Sequence, residues 1–336
     1  MNILFTCAGR RTYLLKYFKE QLAGEGKIIG ADMQMSAPAL SAADIKEKVP
    51  AVYADDYIDR VLDICKRDCV DVLISLNDLE LPILSASKAR FDEIGVKAVV
   101  SSKRVIDICF DKLKTAQYVL SLGLKTPKTY VKLNEAFNAL QTGELKFPVV
   151  LKPRWGSGSI GIEFVENKEE LLSVFELLQL KIKKSILSNA SGSEDYILIQ
   201  ERIEGQEYGL DVMNDLQGNH IAVSVKHKLA MRAGETDKAE TVDNPKVHEI
   251  GRIVGTNLGH IGNLDMDVLE RNGEYFVLEL NPRFGGGFPF SYEAGVNMPK
   301  AIIEWAKGHK VNADMLNPVY GKVFAKCDYL VDVAVN

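Results

Sequence analysis

The chain has 336 residues and little of what the commoner catalytic chemistries need. Its five cysteines, Cys7, Cys65, Cys69, Cys109 and Cys327, are odd in number and scattered. Cys65 and Cys69 lie one helical turn apart, but no second Cys or His pair completes a zinc site. They read as reduced, mostly buried thiols of a cytoplasmic protein, and a disulfide framework is excluded. There is no Ser-His-Asp order and no cysteine-nucleophile signature. No apolar run is long enough for a helical membrane span. The opening MNILFTC reads as a short strand and not as a secretion signal. An excess of positive charge is missing too. Lys and Arg number 41 against 46 Asp and Glu, a net charge of −5 with both signs interspersed. That leaves no polybasic surface for nucleic acid or membrane.

What is present first is an alternation of strand and helix over residues 1 to about 100. Apolar strands are expected at 2–6, 28–32, 70–75 and 96–100. Helices are expected at 10–22, where Leu14, Leu15, Phe18 and Leu22 recur at helical spacing, and at 56–66. Such alternation builds a parallel sheet covered by helices. Ligands meet these sheets at the carboxyl ends of the strands. Those ends carry Gly9, Arg10, Arg11, Asp32 and the run Asn77, Asp78, Leu79, Glu80. Arg10 and Arg11, at a helix N-terminus, suit a carboxylate or phosphate. Further on, a single helix is expected at 107–122, ended by Gly123. A strand at 147–153, a glycine loop and a strand at 162–165 follow. Next come a long amphipathic helix at 168–187, a polar loop at 189–194 and a strand at 196–201. A hairpin is expected at 208–225, a polar loop or lid at 232–243, and helices at 246–258 and 299–306.

Three stretches carry chemistry. In 263–287 two strands meet at an Asn272-Gly273 turn. Asp265, Glu279 and Asn281 are hard oxygen ligands. Glu279 and Asn281 are two apart and share a strand face, and Asp265 on the antiparallel strand can sit beside Glu279. Carboxylates on one face suit Mg²⁺, which leaves positions open for phosphate oxygens. Arg283 follows, able to hold a phosphoryl group. The second stretch, Gly156 to Gly161, fits G-x-G-x-x-G as a string. It opens into a strand, however, and the dinucleotide fingerprint requires a helix. Between two strands it suits a flap whose backbone N–H groups cover phosphates. Lys152 precedes it, whereas a P-loop lysine follows its glycines. No H-R-D or D-F-G occurs, which excludes a protein kinase. In the third stretch, Gln200 to Glu207, a strand ends in acids. Its backbone suits an adenine edge, and a carboxylate such as Glu207 suits ribose hydroxyls.

Taken in order, D-K-x-x-T at 111–115, V-V-L-K-P with G-S-G-S-I-G, Q-E-R-I-E-G-Q-E and L-E-L-N-P-R resemble the ATP-grasp signature. The CAGRR start and R-A-G-E at 232–235 resemble its carbamoyl-phosphate-synthase-like branch. The resemblance implies an α/β N-terminal parallel sheet followed by a two-lobed α+β ATP-grasp fold. It divides the chain at 1–105, 106–200 and 201–336. It further implies that Lys112 and Lys152 contact ATP phosphates and that Ser157, Gly158 and Ser159 lie in the flap. Gln200, Glu201 and Ile203 would hold adenine, and Glu207 the ribose. Asp265, Glu279 and Asn281 would bind Mg²⁺, with Mn²⁺ able to substitute, and Arg283 would stand by the transferred phosphoryl. Arg10, Arg11, Asp78, Glu80, Arg232 and Glu235 are the acceptor candidates. The activity implied is ligation of a small carboxylate, activated as an acyl phosphate, to an amine. A split carbamoyl phosphate synthase acting on bicarbonate and a non-catalytic ATP sensor stay open, as does a homodimer.

Overall fold

The computed structural model describes residues 1–156, 161–190 and 195–333. Three sheets organise it. The first is parallel, in the order β3-β2-β1-β4-β5, from β1 (Ile3–Thr6), β2 (Ile28–Asp32), β3 (Ile45–Lys48), β4 (Val72–Ser75) and β5 (Lys97–Val99). β1 and β4 are buried at every position, as strands covered on both faces must be. Helix Thr12–Leu22 packs Leu14, Leu15, Phe18 and Leu22 inward. It starts two residues later than its periodicity suggests. Gly9, at φ +54°, turns the chain, and its N–H donates to Asp32 Oδ2 at 2.9 Å. Arg10 and Arg11 thus belong to the loop above the sheet.

The single helix expected at 107–122 is two helices, Lys103–Phe110 and Lys112–Ser121. Asp111 between them is extended, and its side chain accepts from Leu113 N–H at 3.0 Å. This capping aspartate ends one helix and begins the next. The apolar periodicity, which continues across it, hides the break.

The second sheet is antiparallel, in the order β6-β9-β7-β8, from β6 (Thr129–Tyr130), β7 (Val149–Pro153), β8 (Glu163–Val165) and β9 (Ile197–Glu201). Helix Lys168–Lys183 covers it through Leu171, Leu178 and Ile182. Ser157, Gly158 and Ser159 of the expected flap lie outside the described residues, as does the end of the polar loop, 191–194.

The third sheet is also antiparallel, in the order β14-β13-β10-β11-β12-β15, from β10 (Gln206–Asn214), β11 (His220–Arg232), β12 (Glu235–Thr241), β13 (Gly262–Arg271), β14 (Glu274–Asn281) and β15 (Val323–Ala325). The polar stretch 232–243 is therefore no loop. Ala233 and Gly234, both at positive φ, turn the chain so that β12 pairs with β11. Its sequence ETDKAET looks polar because the residues it buries, Thr236, Ala239 and Thr241, are small. Helix Pro245–Leu258 covers the opposite face through Val247, Val254 and Leu258.

The thiols are less hidden than expected: Cys65 and Cys109 are buried, Cys69 and Cys327 are exposed, and Cys7 is between. Among the described residues no helix is long and apolar enough to cross a membrane.

Candidate active site

Between the second and third sheets lies a cavity of about 710 Å³. Lys152 on β7 and Lys112 at the start of its helix line one side; Asp267 and Glu279 line the other. Gln200, Glu201, Ile203 and Glu207 form the connecting end. Residues far apart in the chain are thereby brought to one space, which requires both sheets to be in place.

The basic side is rigidly held. Lys152 is 4% exposed. Burial, then the nearby Lys112 charge, lower its pKa to about 8, against the pull of Glu279 and Asp267. Lys112 donates from Nζ to the Gly156 carbonyl. Its helix is fixed from below, because Asp111 also accepts Arg154 Nε and Nη2, both at 2.7 Å. This bidentate pair ties the start of the Lys112 helix to the end of the Lys152 strand.

On the acidic side the register decides which groups meet. Asp265 stands across from Asn281, and Asp267 across from Glu279. All four share one face of the sheet, but Asp265 and Glu279 are not side by side as expected. A bulge puts Leu278 between the pairs Asp267–Glu279 and Val268–Val277. Asp265 instead pairs with Arg283 Nη1 at 2.8 Å. An added Cβ at Gly285 would fall 2.1 Å from the Asp265 carboxyl carbon, so only glycine lets the chain pass. Arg283 is buried, and Asp78 Oδ2 accepts its Nε at 3.1 Å and its Nη2 at 2.7 Å. Each guanidinium nitrogen is engaged, Nε and Nη2 with Asp78 and Nη1 with Asp265. Burial opposes its charge, but Asp78 and Asp265 outweigh it and raise the pKa.

Asp267 is absent from the metal set read in the sequence. Burial first, then its carboxylate neighbours Asp265 and Glu279, push its pKa up to about 7 despite Lys228. Glu279 moves the other way. Burial raises it, but Lys112, Lys152 and a hydrogen bond from Asn281 Nδ2 at 3.2 Å hold it below the usual range. Among the described residues no three or more acidic, His or Cys side chains are gathered tightly enough to hold a metal ion alone. Asp267, Glu279 and the Asn281 amide still fit Mg²⁺, which keeps several waters and shares itself between one or two carboxylates and phosphate oxygens.

At the connecting end, Gln200 lines the cavity while its amide donates to Thr129 Oγ1 at 2.7 Å. Glu201 accepts from Arg271 at 3.0 Å, and Ile203 gives an apolar wall. Glu207 is paired with Lys228 at 2.7 Å.

The acceptor candidates scatter. Arg10 is exposed, and Arg11 donates to the Phe284 carbonyl at 3.0 Å. Arg232 pairs with Asp328 at 2.6 Å and Asp237 at 2.9 Å, and Glu235 with Lys326 at 3.0 Å. Asp78 is committed to Arg283. Glu80 leaves the set altogether. It is 0% exposed and accepts from Ser75 at 2.5 Å, Tyr57 at 2.6 Å and Thr6 at 2.8 Å inside the first sheet's core.

Residues 109–287, more than half the chain, match the family model described as ATP-grasp domain. Residues 3–99 match the one described as PylC-like, N-terminal domain. The chain belongs to the ATP-grasp family, and the parallel sheet followed by two antiparallel lobes is the fold expected of it. Among curated relatives, it is 24% identical over 260 residues to carbamoyl-phosphate synthase of Methanobrevibacter smithii, covering 71% of this chain and 64% of that one. It spans only 19% of the carbamoyl phosphate synthase large chain of Campylobacter jejuni, at 23% identity over 63% of its own length. The fold is shared with the biotin carboxylase domain of the 2-oxoglutarate carboxylase of Hydrogenobacter thermophilus, solved with MgADP, ADP and bicarbonate. That match has a TM-score of 0.73 and 18% identity, and covers 92% of this chain and 70% of that one. The L-amino acid ligase of Bacillus licheniformis shares it too, with TM-score 0.69 and 18% identity, covering 95% of this chain and 78% of that one.

Proposed function

We propose that this protein is an ATP- and Mg²⁺-dependent ligase that activates a small carboxylate and joins it to an amine. One observation carries the reading: Lys112 and Lys152 face Asp267 and Glu279 across a single cavity. Two cations opposite two carboxylates suit a polyphosphate with its metal. ATP would lie with its adenine against Ile203 and the Glu201 backbone, its ribose toward Glu207 and its phosphates toward the two lysines. Asp267, Glu279 and Asn281 would hold Mg²⁺, which neutralises phosphate charge when bound.

A substrate carboxylate oxygen attacks the γ-phosphorus, and ADP leaves with the electrons of the broken P–O bond. An amine nitrogen then attacks the acyl carbon; inorganic phosphate departs and the amine loses a proton. Phosphoryl transfer needs mainly positioning and charge neutralisation. Lys112 and Lys152 supply both. Arg283 enters as the residue that fixes Asp265 and Asp78, not as a ligand of the transferred group.

The test is ADP release over a panel of carboxylates and amines. Release with a matched pair supports ligation; none with any pair refutes it. The carbamoyl-phosphate synthase relative favours a second reading, in which the carboxylate is bicarbonate. Bicarbonate-dependent ATP hydrolysis would select that reading, and its absence would remove it.

A further inference from the structure

Lys228 on β11 already occupies the carboxylates that the nucleotide and the metal would claim. Its side chain is 8% exposed, and its Nζ stands 2.7 Å from Asp267 Oδ1 and 2.7 Å from Glu207 Oε1. Glu207 comes from β10 and Asp267 from β13, so one ammonium links two strands. Burial disfavours its charge, but the two carboxylates prevail and raise its pKa. The backbone is shaped for this contact. Gly209 pairs with Asp267 across β10 and β13. A Cβ on Gly209 would fall 3.0 Å from Lys228 Cε and 3.8 Å from Asp267 Oδ1. Glycine therefore clears the path by which the lysine reaches both acids.

Under the reading above, on which this inference rests, Asp267 belongs to the metal and Glu207 to the ribose. Lys228 holds one oxygen of each, Asp267 Oδ1 and Glu207 Oε1, so a ligand that takes either acid must compete with the ammonium. A divalent ion arriving alone must share Asp267 with a buried ammonium that repels it and keeps only Glu207 as an undivided partner. A triphosphate brings anionic oxygens that can receive it. We propose that Lys228 is the resident counter-cation that sets the order of addition, holding Asp267 and Glu207 together until the nucleotide enters, so that the metal binds with ATP and not before it.

Mn²⁺ binding to the full chain, followed by the electron paramagnetic resonance of the free ion, tests this without turnover. Measurements are made with and without the non-hydrolysable analogue β,γ-imido-ATP, and protein-free mixtures of Mn²⁺ and analogue give the chelation that is subtracted before uptake by the protein is read. Wild type and Lys228→Arg should bind Mn²⁺ weakly alone and tightly with the analogue. Lys228→Met should bind it without nucleotide about tenfold more tightly than wild type, or better, since the carboxylates lose their cation. Gly209→Ala keeps the charge but crowds the side chain, and should shift in the same direction. It carries the test if Lys228→Met does not fold. Equal nucleotide-free Mn²⁺ affinity in wild type and the variants, with tight binding of wild type in the presence of the analogue, overturns the ordering role alone. No Mn²⁺ uptake by wild type even with the analogue overturns the ATP-site reading and this inference together.

Discussion

Asp267 stands directly across from Glu279 on the β13–β14 hairpin, while Asp265, two residues earlier on the same face, gives its charge to Arg283. Two carboxylates of one strand therefore have different work, and substitution should separate them. Asp267→Asn should raise the Mg²⁺ concentration needed for half-maximal ADP release and cut turnover by roughly a hundredfold, as loss of a charge-neutralising group does. Asp265→Asn should leave the Mg²⁺ requirement near wild type and lower stability by about 1–3 kcal/mol, because a buried charged partner is weakened. A Mg²⁺ titration of both variants decides. A raised requirement in Asp265→Asn alone would reverse the assignment.

Lys152 gives a pH dependence of definite sign. Burial lowers its pKa from an ordinary 10.5 to about 8. Below pH 8 the folded and unfolded chains both carry this proton, and the fold bears the full cost of the buried ammonium. Between the two values the unfolded chain binds more protons, so stability rises with pH. At about 1.4 kcal/mol per unit the cost near neutrality is on the order of 3 kcal/mol. Lys152→Met should thus be more stable than wild type at pH 7, with the gap closing from pH 8 to 10.5, and should lose roughly a hundredfold in turnover. Wild-type affinity for ATP should fall over the same rise, as the ammonium is neutralised. Thermal unfolding across pH, beside nucleotide titration, checks both halves. A variant that unfolds earlier at pH 7 would show that the lysine stabilises the fold.

Much of this was legible in the sequence. The near-continuous apolar runs at 3–6 and 72–75 mark strands buried on both faces, and Asn272-Gly273 marks the hairpin turn, because these signals are local. The choice between Asp265 and Asp267 was not local. Pairing continued without interruption from the turn would bring Met266 across from Glu279, and only the bulge at Leu278 brings Asp267 there. Lys228 was hidden for a similar reason: its partners come from two other strands, and it lies beyond 225, where the expected hairpin stopped. Glu80 misled because its place after a strand end looked open. Its burial depends on hydroxyls from Thr6, Tyr57 and Ser75, which only the folded sheet assembles. The Asp111 cap could have been found, since an aspartate before a helical run is a start signal.

Asp78 and Arg283 join the loop above the parallel sheet to the end of the β13–β14 hairpin across 205 positions of sequence, at 2.7 Å. Both side chains are under a tenth exposed. Breaking a buried pair by removing one member leaves the other charge uncompensated, which costs about 3–5 kcal/mol. Asp265 already holds the remaining nitrogen of the same guanidinium and cannot also take over the two that Asp78 serves. Asp78→Asn should therefore lower the urea midpoint strongly. Asp78→Asn with Arg283→Met should lose less than the sum of the two single variants, a coupling of about 1–3 kcal/mol. Strict additivity in that cycle would mean that the two parts of the chain are held together elsewhere.

Glu80 tests whether a strand-end carboxylate serves substrate or fold. Its oxygens accept three hydroxyl hydrogen bonds in a site closed to solvent. Burial raises its pKa, and the bonds from Ser75, Tyr57 and Thr6 only partly offset this. A carboxyl with a raised folded pKa favours the fold when protonated. That contribution is complete below its ordinary value of 4.5 and is lost as pH climbs through the folded value. Glu80→Gln keeps an acceptor and carries no charge. It should match wild type most nearly at pH 5 and gain on it toward pH 8, as rising pH drives the buried carboxyl toward its anion. Glu80→Ala strands three hydroxyls and opens a void, and should cost about 2–4 kcal/mol at either pH. Neither change should alter the KM for carboxylate or amine, because Glu80 is sealed inside the first sheet's core. Denaturation at both pH values together with steady-state kinetics reads this out. A rise in KM with stability unchanged would return Glu80 to the substrate site and require the loop at 77–80 to open during turnover.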